Sequence, residues 1–215
     1  MKLKTVCVFC GSGLGSDPLF REEAAMLGKL LADRGISLVF GGGKVGIMGV
    51  LANNVLMNGG TCIGVMPRNI VELEIAHTNL SELHIVDNIL QRKSLMAEIS
   101  DAFIAFPGGL GTLDELTEML THNQLRIFDK PIGLLNVNGY FDHLLAFFDH
   151  AVSNGFIRHE HRNNLAVSGN AEELLKELVH FKPVHIDGWI SDILSESSHG
   201  SQDLHSGSDN KKKRP

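Results

Sequence analysis

The chain has 215 residues, 43% of them apolar and 20% charged, with a formal net charge of −6. That composition belongs to a globular chain able to bury a large core. The acidic balance excludes a general nucleic-acid binder, and the apolar runs are far too short to cross a bilayer.

From the amino terminus, Met1-Lys2-Leu3-Lys4 leads directly into a strand-like segment with no signal-peptide pattern. Short unbroken apolar runs follow at residues 5–10, 37–40, 62–66, 83–86, 102–106 and 132–135. Unbroken rather than alternating, they read as strands covered on both faces. Helical patterns lie at residues 18–34, 46–58, 89–100, 112–125, 140–154 and 171–180, with Gly35 and Gly59-Gly60 placed as C-caps. Six strand–helix repeats predict one α/β domain over residues 1–194, a doubly wound parallel sheet with helices on both faces. Residues 195–215 hold six serines and close on Lys211-Lys212-Lys213-Arg214, a composition that predicts a disordered polar tail. Three cysteines, Cys7, Cys10 and Cys62, make no disulfide framework, and the expected location is cytoplasmic.

Doubly wound sheets bind ligands beyond the carboxyl ends of their strands. Three glycine-rich turns fall there: Gly11-Ser12-Gly13-Leu14-Gly15, Gly41-Gly42-Gly43-Lys44-Val45-Gly46 and Pro107-Gly108-Gly109-Leu110-Gly111-Thr112. Glycine lets a backbone approach a ligand closely, and a following helix offers free N–H groups. Gly11, Ser12, Gly42, Gly43, Gly46 and Gly108 are the candidate phosphate contacts. The dinucleotide fingerprint G-x-G-x-x-G is absent, and the second strand ends in Phe40 rather than an acid. Lys44 is followed by Val45, so no P-loop is present. A mononucleotide or sugar phosphate remains as the ligand class. Cys7-Val8-Phe9-Cys10 lies on a strand, where residues three apart face opposite ways, so it reads as buried structural thiols. The eleven histidines show no ligand spacing, and no metal site is predicted.

Arg92 occupies the row of its helix shared by Ile89, Met96 and Ile99, with Lys93 beside it. Such an arginine either snorkels to water or meets an anion. Glu115 closes Thr112-Leu113-Asp114-Glu115, which reads as a capping box. The same carboxylate, opening on a phosphate turn, also reads as a catalytic group.

Together, Pro107-Gly108-Gly109-Leu110-Gly111-Thr112-Leu113-Asp114-Glu115 and Gly41-Gly42-Gly43-Lys44-Val45-Gly46-Ile47-Met48-Gly49 resemble the Lonely Guy (LOG) family of cytokinin riboside 5′-monophosphate phosphoribohydrolases, once named lysine decarboxylase-like. The resemblance spans residues 4–180 and includes Glu74-Ile75-Ala76-His77, Gln91-Arg92-Lys93 and Leu135-Asn136-Val137-Asn138-Gly139-Tyr140. It implies a Rossmann-like domain, homodimers or oligomers of dimers, and no metal or organic cofactor. The implied reaction converts an adenine-type nucleoside 5′-monophosphate and water into free base and ribose 5-phosphate. The implied catalytic pair is Arg92 and Glu115. Substrate contacts carry over as Glu74, Arg92, Lys93, Gly109, Leu110, Gly111, Thr112, Leu113, Asp114, Glu115 and Thr121. The small-molecule nucleotide is the expected partner, without nucleic acid or membrane. Ile89 and Leu90 stand where the family commonly has Met-His, and His122 where it commonly has Trp, which bears on base preference. Two other readings remain at this stage: a broader purine or pyrimidine nucleotide nucleosidase, and a non-catalytic nucleotide-binding protein.

Overall fold

Alternate residues of β1 (Thr5–Phe9) serve two different cores, as a strand's period of two requires. Val6 and Val8 join one apolar cluster and Cys7 and Phe9 the other. The computed structural model describes residues 2–71 and 76–184 of the chain. Glu74 and the tail expected over residues 195–215 lie outside the described residues.

Helix α1 (Pro18–Asp33) starts where Asp17 Oδ1 accepts the Leu19 amide at 2.9 Å and Pro18 presets the first turn. It ends at Gly35, whose φ of 64° completes the C-terminal turn. Next come β2 (Ser37–Phe40), α2 (Gly46–Met57), β3 (Cys62–Pro67), a single turn α3 (Arg68–Val71) and β4 (Glu82–Val86). The second half runs α4 (Ile89–Ile99), β5 (Ala102–Ala105), α5 (Leu110–Gln124), β6 (Ile132–Leu135), α6 (Asp142–Ser153), α7 (His159–Arg162), β7 (Leu165–Ser168) and α8 (Ala171–His180).

Among the described residues the seven strands are parallel, in the order β4-β3-β2-β1-β5-β6-β7. Helices α1, α2 and α8 cover one face through Leu27, Leu31, Leu51, Val55, Leu174 and Leu178. Helices α4, α5 and α6 cover the other through Met96, Leu116, Met119 and Phe148. The expected doubly wound α/β fold is present, with one strand more than the sequence pattern predicts. Strand β7, Leu-Ala-Val-Ser, is as long as β2 and β6 but too weakly apolar to stand out between Asn163-Asn164 and Gly169-Asn170. Strand β4 corrects the reading of every strand as covered on both faces: it is an edge strand, and Glu82 and Ile85 are exposed. Among the described residues no helix is long and apolar enough to cross a membrane.

This order places the edge where the glycine turns lie. From β1 the chain steps outward through β2, β3 and β4, then returns to lay β5 on the other side of β1. The crevice at that switch opens between the turns following β1 and β5.

Candidate active site

The three glycine turns meet at this crevice. The Gly11 amide donates to the Pro107 carbonyl at 3.1 Å, and the Ile47 amide to the Gly13 carbonyl at 3.1 Å. Close approach requires glycine at two of these points. A Cβ at Gly108 would stand 2.1 Å from Thr112 Oγ1 and 2.8 Å from the Gly11 nitrogen. One at Gly46, where φ is +61°, would stand 2.1 Å from the Ser12 carbonyl oxygen.

A cavity of about 260 Å³ opens here, lined by Cys10, Gly11, Ser12, Met48, Arg92, the Gly109–Thr112 turn and Glu115. Gly109 is the N-cap of α5 and supplies no side-chain cap. The amides of Leu110, Gly111 and Thr112 therefore lack intrahelical acceptors, and they carry the positive end of the helix dipole. Of the candidate phosphate contacts, Gly11 and Ser12 line this cavity, and Gly108 lines an adjoining one of about 280 Å³ that shares Gly11, Ser12 and Gly109 with it. Gly42, Gly43 and Gly46 line neither. Gly42 accepts the His77 amide through its carbonyl and Gly43 bridges to Ala76, tying their turn to the segment before β4, and Gly46 packs on Ser12 of the first turn.

Across the cavity floor, Arg92 Nη1 lies 2.9 Å from Glu115 Oε1, with the two side chains 16% and 9% exposed. Arg92 Nε also donates to the Val65 carbonyl at 3.1 Å. This corrects both structural readings of the pair. Arg92 does not snorkel; it turns inward to a carboxylate. Glu115 is not half of a capping box, because α5 starts two residues before Thr112, and its carboxyl reaches α4 instead. Burial raises the Glu115 carboxyl above the usual carboxylate range, opposed by the charge and hydrogen bond of Arg92.

Lys93 is held by two carboxylates of α5, Asp114 at 3.0 Å and Glu118 at 2.5 Å, and chiefly the Glu118 bond raises its pKa. Together the Arg92 and Lys93 pairs fix α4 against α5. Asp114 thus turns to Lys93, Leu113 packs into the core, and Gly109, Leu110, Gly111 and Thr112 remain on the cavity wall. Thr121 lies apart. It donates to the Thr117 carbonyl at 2.8 Å and lines a separate cavity with Phe148, His161 and Arg162.

Sequence reasoning missed Cys10 as a wall of the site. Cys7 and Cys10 do face opposite cores, but only Cys7 and Cys62 are buried throughout. Burial and then the Glu115 charge raise the Cys10 pKa well above its ordinary value, which keeps it a neutral thiol. Its position just past β1, beside the first glycine turn, was the available signal. Among the described residues no cluster of His, Cys, Asp or Glu is arranged to hold a metal ion. No lysine lines the cavity and Lys93 is closed by two carboxylates, so the site does not fit a pyridoxal cofactor bound as a Schiff base.

Comparison with known proteins gives consistent relatives. A family model described as "Possible lysine decarboxylase" matches residues 48–178. The probable cytokinin riboside 5′-monophosphate phosphoribohydrolase LOGL1 of Oryza sativa subsp. japonica is 47% identical over 180 residues, covering 84% of this chain and 81% of that protein. The cytokinin riboside 5′-monophosphate phosphoribohydrolase LOG1 of Arabidopsis thaliana is 46% identical over 184 residues, 86% of each. Among solved structures, the molybdenum cofactor binding protein of Rippkaea orientalis superposes with a TM-score of 0.62 at 24% identity, covering 83% of this chain and 99% of that one, a likeness of fold.

Proposed function

The chain belongs to the family described as possible lysine decarboxylases, and on that premise we propose that it is a nucleoside 5′-monophosphate phosphoribohydrolase acting on cytokinin-type or plain adenine nucleotides. The observation that carries this reading is the buried Arg92–Glu115 pair on the floor of a cavity walled by the first turn of α5. A carboxylate set beside a phosphate cradle repels the ligand it must share the site with, so the arrangement makes chemical sense when positive charge develops between the two. Cleavage of a ribosyl C1′–N bond develops that charge on the sugar.

The 5′-phosphate rests on the amides of Gly109–Thr112 and the Gly11-Ser12 turn, which holds C1′ at a fixed distance from Glu115. As the C1′–N bond lengthens, the bonding pair leaves with the base, which takes up a proton. Water adds to C1′, oriented by Glu115, and gives up its proton. The Glu115 carboxylate stabilises the oxocarbenium-like sugar between these events. Arg92 serves as a cationic hydrogen-bond donor rather than as an acid. It keeps Glu115 ionised against the effect of burial and fixes its direction. Lys93 acts behind them by clamping α4 to α5.

Relatives named as phosphoribohydrolases at about this identity favour hydrolysis over a carrier role, as does the catalytic-type placement of Glu115. Exposed Ile89, Leu90 and Leu110 beside the site support self-association of α4 and α5, in keeping with a homodimer. The direct test is incubation with AMP and, in parallel, isopentenyladenosine 5′-monophosphate, with chromatography of the products. Free base and ribose 5-phosphate in equal amounts support the reading. Tight binding with no ribose 5-phosphate from either would make the protein a carrier.

A further inference from the structure

The adjoining cavity has one polar side-chain feature the reaction does not use. Tyr140, the only tyrosine of the chain, donates its hydroxyl to the Gly108 carbonyl at 2.7 Å. It reaches that turn from the far side of the crevice, next to β6. We propose that Tyr140 is a positioning residue for phosphate recognition: it locks the Gly108–Gly109 peptide so that the Gly109 amide is held facing away from the phenol, available to the ligand's phosphate. This inference rests on the phosphate site assigned above.

The reason is stereochemical. In a trans peptide the carbonyl and the N–H of the next residue point in opposite directions across one rigid plane. A Gly–Gly peptide rotates as a unit with little steric resistance, because neither neighbour carries a Cβ. Held only by its chain connections, the 108–109 plane could present either its N–H or its carbonyl oxygen to an anion, and the carbonyl would repel it. The preceding plane, 107–108, is fixed because Pro107 O accepts the Gly11 amide. The Tyr140 hydroxyl does the same for 108–109. Two consecutive peptides of the turn are thus fixed by hydrogen bonds from neighbouring segments.

Considerable local structure serves to place this phenol. Asn138 and Gly139 adopt φ of 49° and 70°, a left-handed pair just ahead of Tyr140. Asn136 Oδ1 accepts the Phe141 amide at 2.8 Å, and Asn136 Nδ2 donates to Asp142 at 2.7 Å, closing the turn. The Tyr140 ring is then set edge-on to Phe20 at 5.5 Å and to Phe141 at 4.9 Å. Those contacts aim a ring that is nearly half exposed at a single carbonyl. A residue needed only for packing would not require its hydroxyl there.

The test is Tyr140→Phe, which keeps the ring contacts and deletes the hydroxyl. Dissociation constants for ribose 5-phosphate are measured by calorimetry on wild type and variant, with kcat and KM for isopentenyladenosine 5′-monophosphate and the Tm of each. Loss of one such hydrogen bond predicts a rise of about three- to tenfold in the ribose 5-phosphate Kd and in KM, with kcat within about twofold. An unchanged Kd, whether or not Tm falls, overturns the proposal and makes Tyr140 a packing residue. If the wild type binds ribose 5-phosphate but hydrolyses no nucleotide, the enzymatic reading fails while the Kd comparison still decides the role of Tyr140. If the wild type does not bind ribose 5-phosphate at all, both fall.

Discussion

Replacing Glu115 by Gln isolates charge from shape. Glutamine fills the same volume and its Oε1 can still accept from Arg92 Nη1 across the 2.9 Å contact. On the proposed mechanism, what is lost is the negative charge beneath the anomeric carbon and the ability to take a proton from water. A positioned acid–base group contributes about 10²–10⁴ in rate, so turnover should fall by that factor, about 3–5 kcal/mol of barrier. The fold should survive. A mostly buried guanidinium that loses its neutralising partner but keeps its hydrogen bond costs about 1–3 kcal/mol, well inside the stability of an ordinary domain of about 5–15 kcal/mol. KM should move little, because the proposed phosphate contacts are backbone amides of α5 and the first turn. The assay is base release under saturating isopentenyladenosine 5′-monophosphate, with the Tm of the variant recorded beside it. A folded variant retaining more than about a tenth of wild-type kcat would leave Glu115 as a structural partner of Arg92 and remove the catalytic argument, since even the low end of the range is larger.

The same pair sets the pH dependence. Burial raises the Glu115 pKa, so the acid limb of kcat/KM should lie above the usual carboxylate range, activity falling as pH drops through the raised value. Arg92 opposes that rise; in Arg92→Met the residual activity should therefore show its acid limb shifted to still higher pH, and a shift to lower pH would contradict the assigned pairing. Gly108→Ala should lower Tm and raise KM, because its methyl would meet Thr112 Oγ1 and the Gly11 nitrogen, whereas Gly109→Ala, with φ of −97° and no atom within 4 Å of the new Cβ, should leave Tm unchanged. Lys93→Met should cost roughly 1 kcal/mol by thermal denaturation, discounted for the exposure of its partners. Because Lys93's folded pKa is raised above its unfolded one, its contribution is present below the unfolded value and lost as pH rises through the folded one. The gap between wild type and variant should therefore hold from neutral to mildly alkaline pH and close in strong alkali.

Local chemistry makes much of this molecule legible in its sequence. Unbroken apolar runs such as residues 37–40 and 132–135 read as strands covered on both faces and are so, and Gly35 marked a helix end because a positive φ is cheapest there. Glycines at Gly46 and Gly108 mark where the turns approach one another for the same reason: backbone that close to backbone cannot carry a Cβ. Those signals depend on neighbours within a few residues, and such neighbours are written in the chain.

Pairings across long separations were not legible. Thr112-Leu113-Asp114-Glu115 satisfies the pattern of a helix cap, yet the helix begins earlier at Leu110 and the carboxyl crosses to Arg92 on another element. The earlier start of α5 removes the cap, and the packing of α4 beside α5 supplies Arg92 as the partner instead. The division of the glycines between cavity wall and turn packing was likewise settled by which loops touch, as Gly46 on Ser12 shows. Cys10 entered the site because β1 ends one residue before it. Sequence determined the elements and the edge at which the glycine turns gather, through short-range sterics and periodicity. Tertiary structure determined which charges face each other there, because burial and distance, rather than spacing along the chain, set their interaction.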